Sequence, residues 1–270
     1  MFPADNPWNQ DVTGLPVDPN SDNYIASIGA TGHLHPDFGS DPTYGIPYLV
    51  VGAGQPNVPI TYTDYGDESD PGPFPIPQNA PVEAGSDAHV LVVDSGNCTL
   101  YELYDAHPNG QGWNAGAGAK WPLNTNQLRP EGWTSADAAG LPILPGLARF
   151  DEVSGGAINH ALRFTVQHSQ AGHIHPATHD ASSSTNPNLP PMGLRLRLKS
   201  SFDVTGFHGE ARAVLDALKR YGMIVADNGS NWYISGATDR RWNDDDLNQL
   251  KTVPGSAFEA VQTGTIRHGA

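Results

Sequence analysis

His89-Val90-Leu91-Val92-Val93-Asp94, then Ser95-Gly96-Asn97, then Thr99-Leu100-Tyr101-Glu102-Leu103-Tyr104 is the stretch that decides the fold class. Two apolar runs rich in β-branched and aromatic residues flank a Gly-Asn turn, the pattern of a β-hairpin. Working outward, Tyr48 to Val51 and Ile60 to Tyr65 read as strands, and Gly112 to Leu123 as a further strand pair. Leu194, Leu196 and Leu198 alternate with Arg195, Arg197 and Lys199, which predicts a strand with one apolar and one cationic face. Ala157 to Val166 also ends as a strand, and Phe258 to Val261 as a last one.

Helical signals are few. Gly209 to Gly222 carries an apolar stripe of Val214, Leu215, Leu218 and Tyr221 and a glycine stop. Trp133 to Gly140 predicts a short helix, and Asp244-Asp245-Asp246 caps another. Met223 to Ala226 and Trp232 to Ser235 are expected to pair as a hairpin around Asp227-Asn228-Gly229. The expected fold is mainly β with a few short helices: an antiparallel β-sandwich or barrel, one domain over 1–270, with one packed helix. Residues 1–45 are expected to be an extended, loop-rich N-terminal segment.

The bulk properties exclude several functions. Of 270 residues only 16% are charged, and the formal net charge is −15. That charge repels nucleic acid and anionic membrane surfaces, so neither is an expected partner. No stretch is apolar over the length of a membrane span. The single cysteine, Cys98, precludes an internal disulfide and is expected to be a buried thiol. The polar, proline-rich opening Met1-Phe2-Pro3-Ala4-Asp5-Asn6-Pro7-Trp8 looks like a start placed before a mature exported chain.

Three stretches carry a resemblance: Gly132 to Leu147 (GWTSADAAGLPILPGL), His160-Ala161-Leu162-Arg163, and Tyr221 to Trp232 (YGMIVADNGSNW). The chain resembles, over most of its length, predicted secreted bacterial proteins. That resemblance implies an extracellular bacterial setting and delivers no reaction.

His-x-His-Pro occurs twice, at His33-Leu34-His35-Pro36 and His173-Ile174-His175-Pro176, with His179 after the second. Spacing i, i+2 places both imidazoles on one face of a strand, where they suit a metal or a proton-transfer site. The expected function is a secreted carbohydrate-active enzyme, best read as a glycoside hydrolase. Such an enzyme needs one carboxyl kept protonated and one ionised. Asp137 and Glu152 are the expected pair, with Glu68 in reserve. Each also has an ordinary structural role open to it, capping for Asp137 and a solvated turn for Glu152. His35, Asp37, His160, Arg163 and His179 are expected to orient the carbohydrate or tune the carboxyls, with Trp133, Asn231 and Trp232 on the sugar side. No cofactor is required. A polysaccharide lyase holding a uronate on Arg195, Arg197 and Lys199, with Arg163 and His160, is one alternative, and a non-catalytic carbohydrate-binding or filament-forming protein another. A metal enzyme with a divalent ion on His33, His35 and His179 is the last.

Overall fold

The computed structural model describes residues 1–268. In chain order the strands are β1 (His35–Asp37), β2 (Tyr48–Val51), β3 (Ile60–Tyr62), β4 (Val90–Asp94), β5 (Thr99–Tyr104), β6 (His107–Pro108), β7 (Trp113–Ala115), β8 (Ala117–Pro122), β9 (Leu162–Val166), β10 (Arg195–Leu198), β11 (Met223–Asn228), β12 (Tyr233–Ser235) and β13 (Phe258–Val261). The helices are α1 (Ser21–Ile28), α2 (Phe150–Ser154), α3 (Gly209–Arg220) and α4 (Asp244–Asn248). The chain is mainly β with a few short helices, as the alternation predicts. The strands form a six-stranded sheet ordered β1-β12-β9-β11-β10-β13, a four-stranded sheet β2-β4-β5-β8 and a three-stranded sheet β3-β7-β6. Pairing is mixed: β1 with β12, β2 with β4, β3 with β7 and β9 with β11 run parallel.

The β4–β5 hairpin forms as read, with Val90 opposite Leu103 and Asp94 opposite Thr99. Its continuous apolar character follows from burial on both faces. Val90, Val92, Tyr101 and Leu103 pack with Trp113, Ala115 and Phe74 toward the three-stranded sheet. Leu91 and Leu100 pack on the other side with Ile143, Leu144 and Leu147. Glu102 shares that second face and is fully buried. Its two carboxylate oxygens accept hydrogen bonds from the backbone N–H groups of Ile143 and Leu144 and from Trp121 Nε1, at 2.9–3.0 Å. Burial pushes its pKa up to about 7 against the pull of these donors. The proline-rich bend at 141–147 is thereby fastened to β5, and it adds a single 3-10 turn, Leu144–Gly146. The third and largest cluster lies between the six-stranded sheet and helices α1 and α3.

Several expectations are corrected. Residues 1–45 are not simply extended: Tyr24, Ile25 and Ile28 form an apolar stripe that buries α1 beside β13. Residues 133–140 form turns instead of a helix. There the Ser135 hydroxyl donates to the Asp137 and Leu141 carbonyls and accepts from Asp137 N–H, competing with helical pairing. β11 and β12 do not pair with each other; β9 lies between them. The cationic face of β10 is not free. Arg195 is buried and donates to the Tyr221 and Pro7 carbonyls. Arg197 donates to Glu259 and to the carbonyls of Val12, Thr13 and Leu15, and Lys199 to Ser256. Cys98 is exposed, at φ 51° in the hairpin turn.

Because both oxygens of Glu102 receive an N–H donor, an amide there always turns its NH2 against one. Glu102→Gln is expected to lower unfolding free energy by roughly 1–3 kcal/mol, measured by denaturant titration. An unchanged midpoint would show that the carboxylate does not fasten the bend.

Candidate functional site

Alternation along three adjacent strands of the six-stranded sheet lines up one polar row. Asp37 on β1 stands opposite Ser235 on β12. Ile234 stands opposite Phe164, which sets Ser235 abreast of Arg163 on β9. Their neighbours Phe164 and Ile234 point the other way into the core. The face bearing Asp37, Arg163, Thr165, Tyr233 and Ser235 lines an open hollow of about 360 Å³.

Asp227 joins that row through a β-bulge. On β11 the register with β9 runs Val225 opposite Phe164, then skips Ala226 to set Asp227 opposite Thr165. Unbroken pairing would put Ala226 there and set Asp227 opposite Val166, a fully buried core residue. One inserted residue thus flips Asp227 from core to cleft. Asp227, Asn228 and Asp87 line this hollow and also an adjoining one of about 380 Å³, walled by Tyr65, Tyr104, Thr134, Ser135, Ala138 and His179. Tyr44 and Tyr233 line the first hollow, and Tyr44 and Tyr65 are exposed.

The charges at the floor come in pairs. Arg163 donates from Nε and Nη2 to both oxygens of Asp137, at 3.0 and 2.7 Å, and from Nη1 to Ser235 Oγ at 2.6 Å. Both members of this ion pair are buried. Burial acts against Arg163's charge, but Asp137 outweighs it and the pKa rises. His89, just before β4, places Nδ1 on Glu83 and Nε2 on the Ala136 carbonyl at 2.9 Å. Two acceptors on one ring call for a proton on each nitrogen. Burial acts to lower the His89 pKa, yet its Glu83 partner brings it above the usual histidine value. Burial likewise acts to raise the Glu83 pKa, and His89 brings it below the carboxylate norm.

The remaining carboxyls have no such cation. Burial and then the charge of Asp137 push Asp227 up to about 7, with Arg163 opposing. Burial also raises the Asp37 pKa, with His35 pulling it down.

The expected carboxyl pair does not assemble. Asp137 is the ion-pair partner of Arg163 and borders neither hollow. Glu152, on α2, bonds Arg149 and His160 Nε2, and these partners outweigh burial to hold its pKa down. Glu68 accepts from the Thr134 N–H at 2.9 Å, behind the wall of the second hollow. Of the expected orienting groups, Asp37 and Arg163 line the first hollow and His179 the second, its Nδ1 on the Ala138 carbonyl at 2.7 Å. His160 is buried with Glu152 and the Ala161 carbonyl. His35 stacks on Tyr233 with ring centroids 4.0 Å apart, its pKa lowered by burial and then by Lys251.

The tryptophans are packing residues. Trp232 is buried between Phe164 and Phe258 and donates to the Gly29 carbonyl. Trp133 lies against the Arg129 guanidinium. Asn231 accepts from Gln167 N–H. The aromatic residues of the cleft are tyrosines instead. His33, His35 and His179 do not form a metal-type group among the described residues; Glu131, His173 and His175 do, outside both hollows.

Asp227, Asp87, Glu83 and His89 escape sequence reasoning. The bulge that exposes Asp227 leaves no mark in Val225-Ala226-Asp227, and Glu83 and His89 meet across a loop with no motif. Asp137→Ala is expected to cost about 3–5 kcal/mol in a denaturation experiment, since Arg163 is left buried and unpaired. A loss below about 1 kcal/mol would show that water reaches the guanidinium.

Comparisons with protein-family models, with curated proteins and with solved structures found no match to this chain.

Proposed function

We propose that the protein is a glycoside hydrolase acting on a neutral polysaccharide or oligosaccharide, with Asp227 as the general acid. The observation that carries this reading is Asp227 itself. It is a carboxyl raised to about 7 in a cleft that also holds Asp37 and Asp87. Glycoside hydrolysis needs a proton donor to the leaving oxygen and a second carboxylate as base or nucleophile. Asp37, in the same polar row, takes the second role. Tyr44, Tyr65, Tyr104 and Tyr233 line the two hollows beside these groups, and aromatic rings suit the apolar faces of sugars.

A neutral substrate follows from charge. The chain is strongly acidic, and the hollow with Arg163 holds Asp37, Glu83, Asp87 and Asp227. Its two cations, Arg163 and His89, are already paired. Nothing there is left to neutralise a uronate, which favours hydrolase over lyase. The resemblance to secreted bacterial proteins favours an extracellular setting, where polysaccharide is met.

The test is release of reducing ends from a panel of neutral polysaccharides at mildly acid and neutral pH. Activity is expected, with turnover reduced about 100- to 10,000-fold in Asp227→Asn and retained in Glu152→Gln. An acid is competent only while protonated, so turnover is expected to fall as pH rises through about 7. Binding without release across the panel, or full activity in Asp227→Asn, would overturn the reading.

A further inference from the structure

The second His-x-His-Pro motif meets a carboxylate outside the cleft. His173 Nε2 lies 2.6 Å from one oxygen of Glu131, and His175 Nε2 lies 2.9 Å from the other. One donor atom from each of the three residues falls within 4.8 Å of the other two. Two imidazoles and a carboxylate form a donor set suited to zinc, leaving a fourth position for water. A tetrahedral ion with bonds of about 2.1 Å holds its donors roughly 3.4 Å apart, so the half-exposed Glu131 carboxylate, now 2.6 and 2.9 Å from the two rings, has to draw back by about half an ångström to admit it. We propose that Glu131, His173 and His175 bind a zinc-class divalent transition-metal ion.

The backbone holds this geometry in advance. His173 exchanges two hydrogen bonds with Arg267, at 3.0 and 2.8 Å, and Ile174 N–H donates to the Met192 carbonyl. The imidazole segment is thus clamped on both sides. His173 is buried, and its Nδ1 has no hydrogen-bond partner. No second acceptor therefore fixes the ring's tautomer; only Glu131 does. An ion bound at Nε2 takes that nitrogen's lone pair, so the neutral ring's single proton shifts from Nε2 to Nδ1 and Glu131 is freed as a carboxylate ligand. Glu131 and His175 are partly exposed, so the ion has an entry path and an open side. The nearby cation is Arg267, whose Nε is 4.0 Å from Glu131 and whose side chain is half exposed and able to turn away.

The site joins two chain segments that wall the second hollow. Glu131 precedes Thr134 and Ser135, and His175 precedes His179. Gly132 N–H already donates to the Thr178 carbonyl at 2.7 Å, tying the same two segments. The ion acts as a clamp on that wall, and this role does not rest on the glycosidase reading.

The experiment uses the full chain without a histidine tag, stripped by chelator and titrated with zinc alone in a calorimeter. Uptake of about one equivalent is expected, with a raised thermal unfolding midpoint. His175→Ala and Glu131→Ala are each expected to weaken binding by about 100-fold or more. Both side chains are partly exposed, and the thermal midpoints of the metal-free variants check that they fold. His35→Ala, from the first motif, is expected to bind zinc like the parent chain. No saturable uptake by the parent, or equal uptake by folded His175→Ala and Glu131→Ala, would overturn the proposal.

Discussion

The cleft depends on the buried ion pair between Arg163 and Asp137. Arg163 projects from the middle of the six-stranded sheet, and Asp137 comes from the turns that separate that sheet from the four-stranded one. Neither charge is tolerable there without the other. The pair therefore fixes where residues 133–140 lie, and with them the Thr134, Ser135 and Ala138 wall of the second hollow. It also sets the electrostatics around it. Arg163 is balanced by Asp137, and His89 by Glu83. Beyond these two pairs the cleft holds three further carboxyls, Asp37, Asp87 and Asp227. Asp227 is the deeply buried one of the three, and burial followed by the nearby Asp137 charge pushes its pKa up to about 7.

The bulge in β11 is the second constraint. A strand offers alternate residues to each face, and one extra residue exchanges the faces beyond it. Asp227 owes its place in the cleft to the skipped residue Ala226. The fold supplies the row Asp37, Ser235, Arg163 by plain alternation, and the bulge adds a carboxyl to it.

This division explains what could be read in advance. The β4–β5 hairpin, β10, α3 and β13 are open to local reading, the hairpin from two apolar runs around a turn, β10 from its alternation and α3 from its helical stripe. Asp37, Arg163 and His179 were also within reach as cleft residues. The pairing of β11 and β12 was not, since an Asp-Asn-Gly turn signals a hairpin whether or not another strand slips between its arms. Asp137 reads from sequence as a candidate catalytic carboxyl, but its partner Arg163 lies 26 positions away and makes it half of a structural ion pair. The two His-x-His-Pro motifs look alike in sequence and differ in place. In the first, His35 is occupied by stacking on Tyr233; in the second, both imidazoles meet Glu131.

The most direct test of the account is the titration of Asp227 itself. Its side-chain carboxyl carbon can be followed by NMR and assigned by the signal lost in Asp227→Asn. The account predicts a midpoint near 7, displaced far above an ordinary aspartate. A midpoint near 4 would contradict it, because burial and the Asp137 charge would then fail to hold the proton on Asp227.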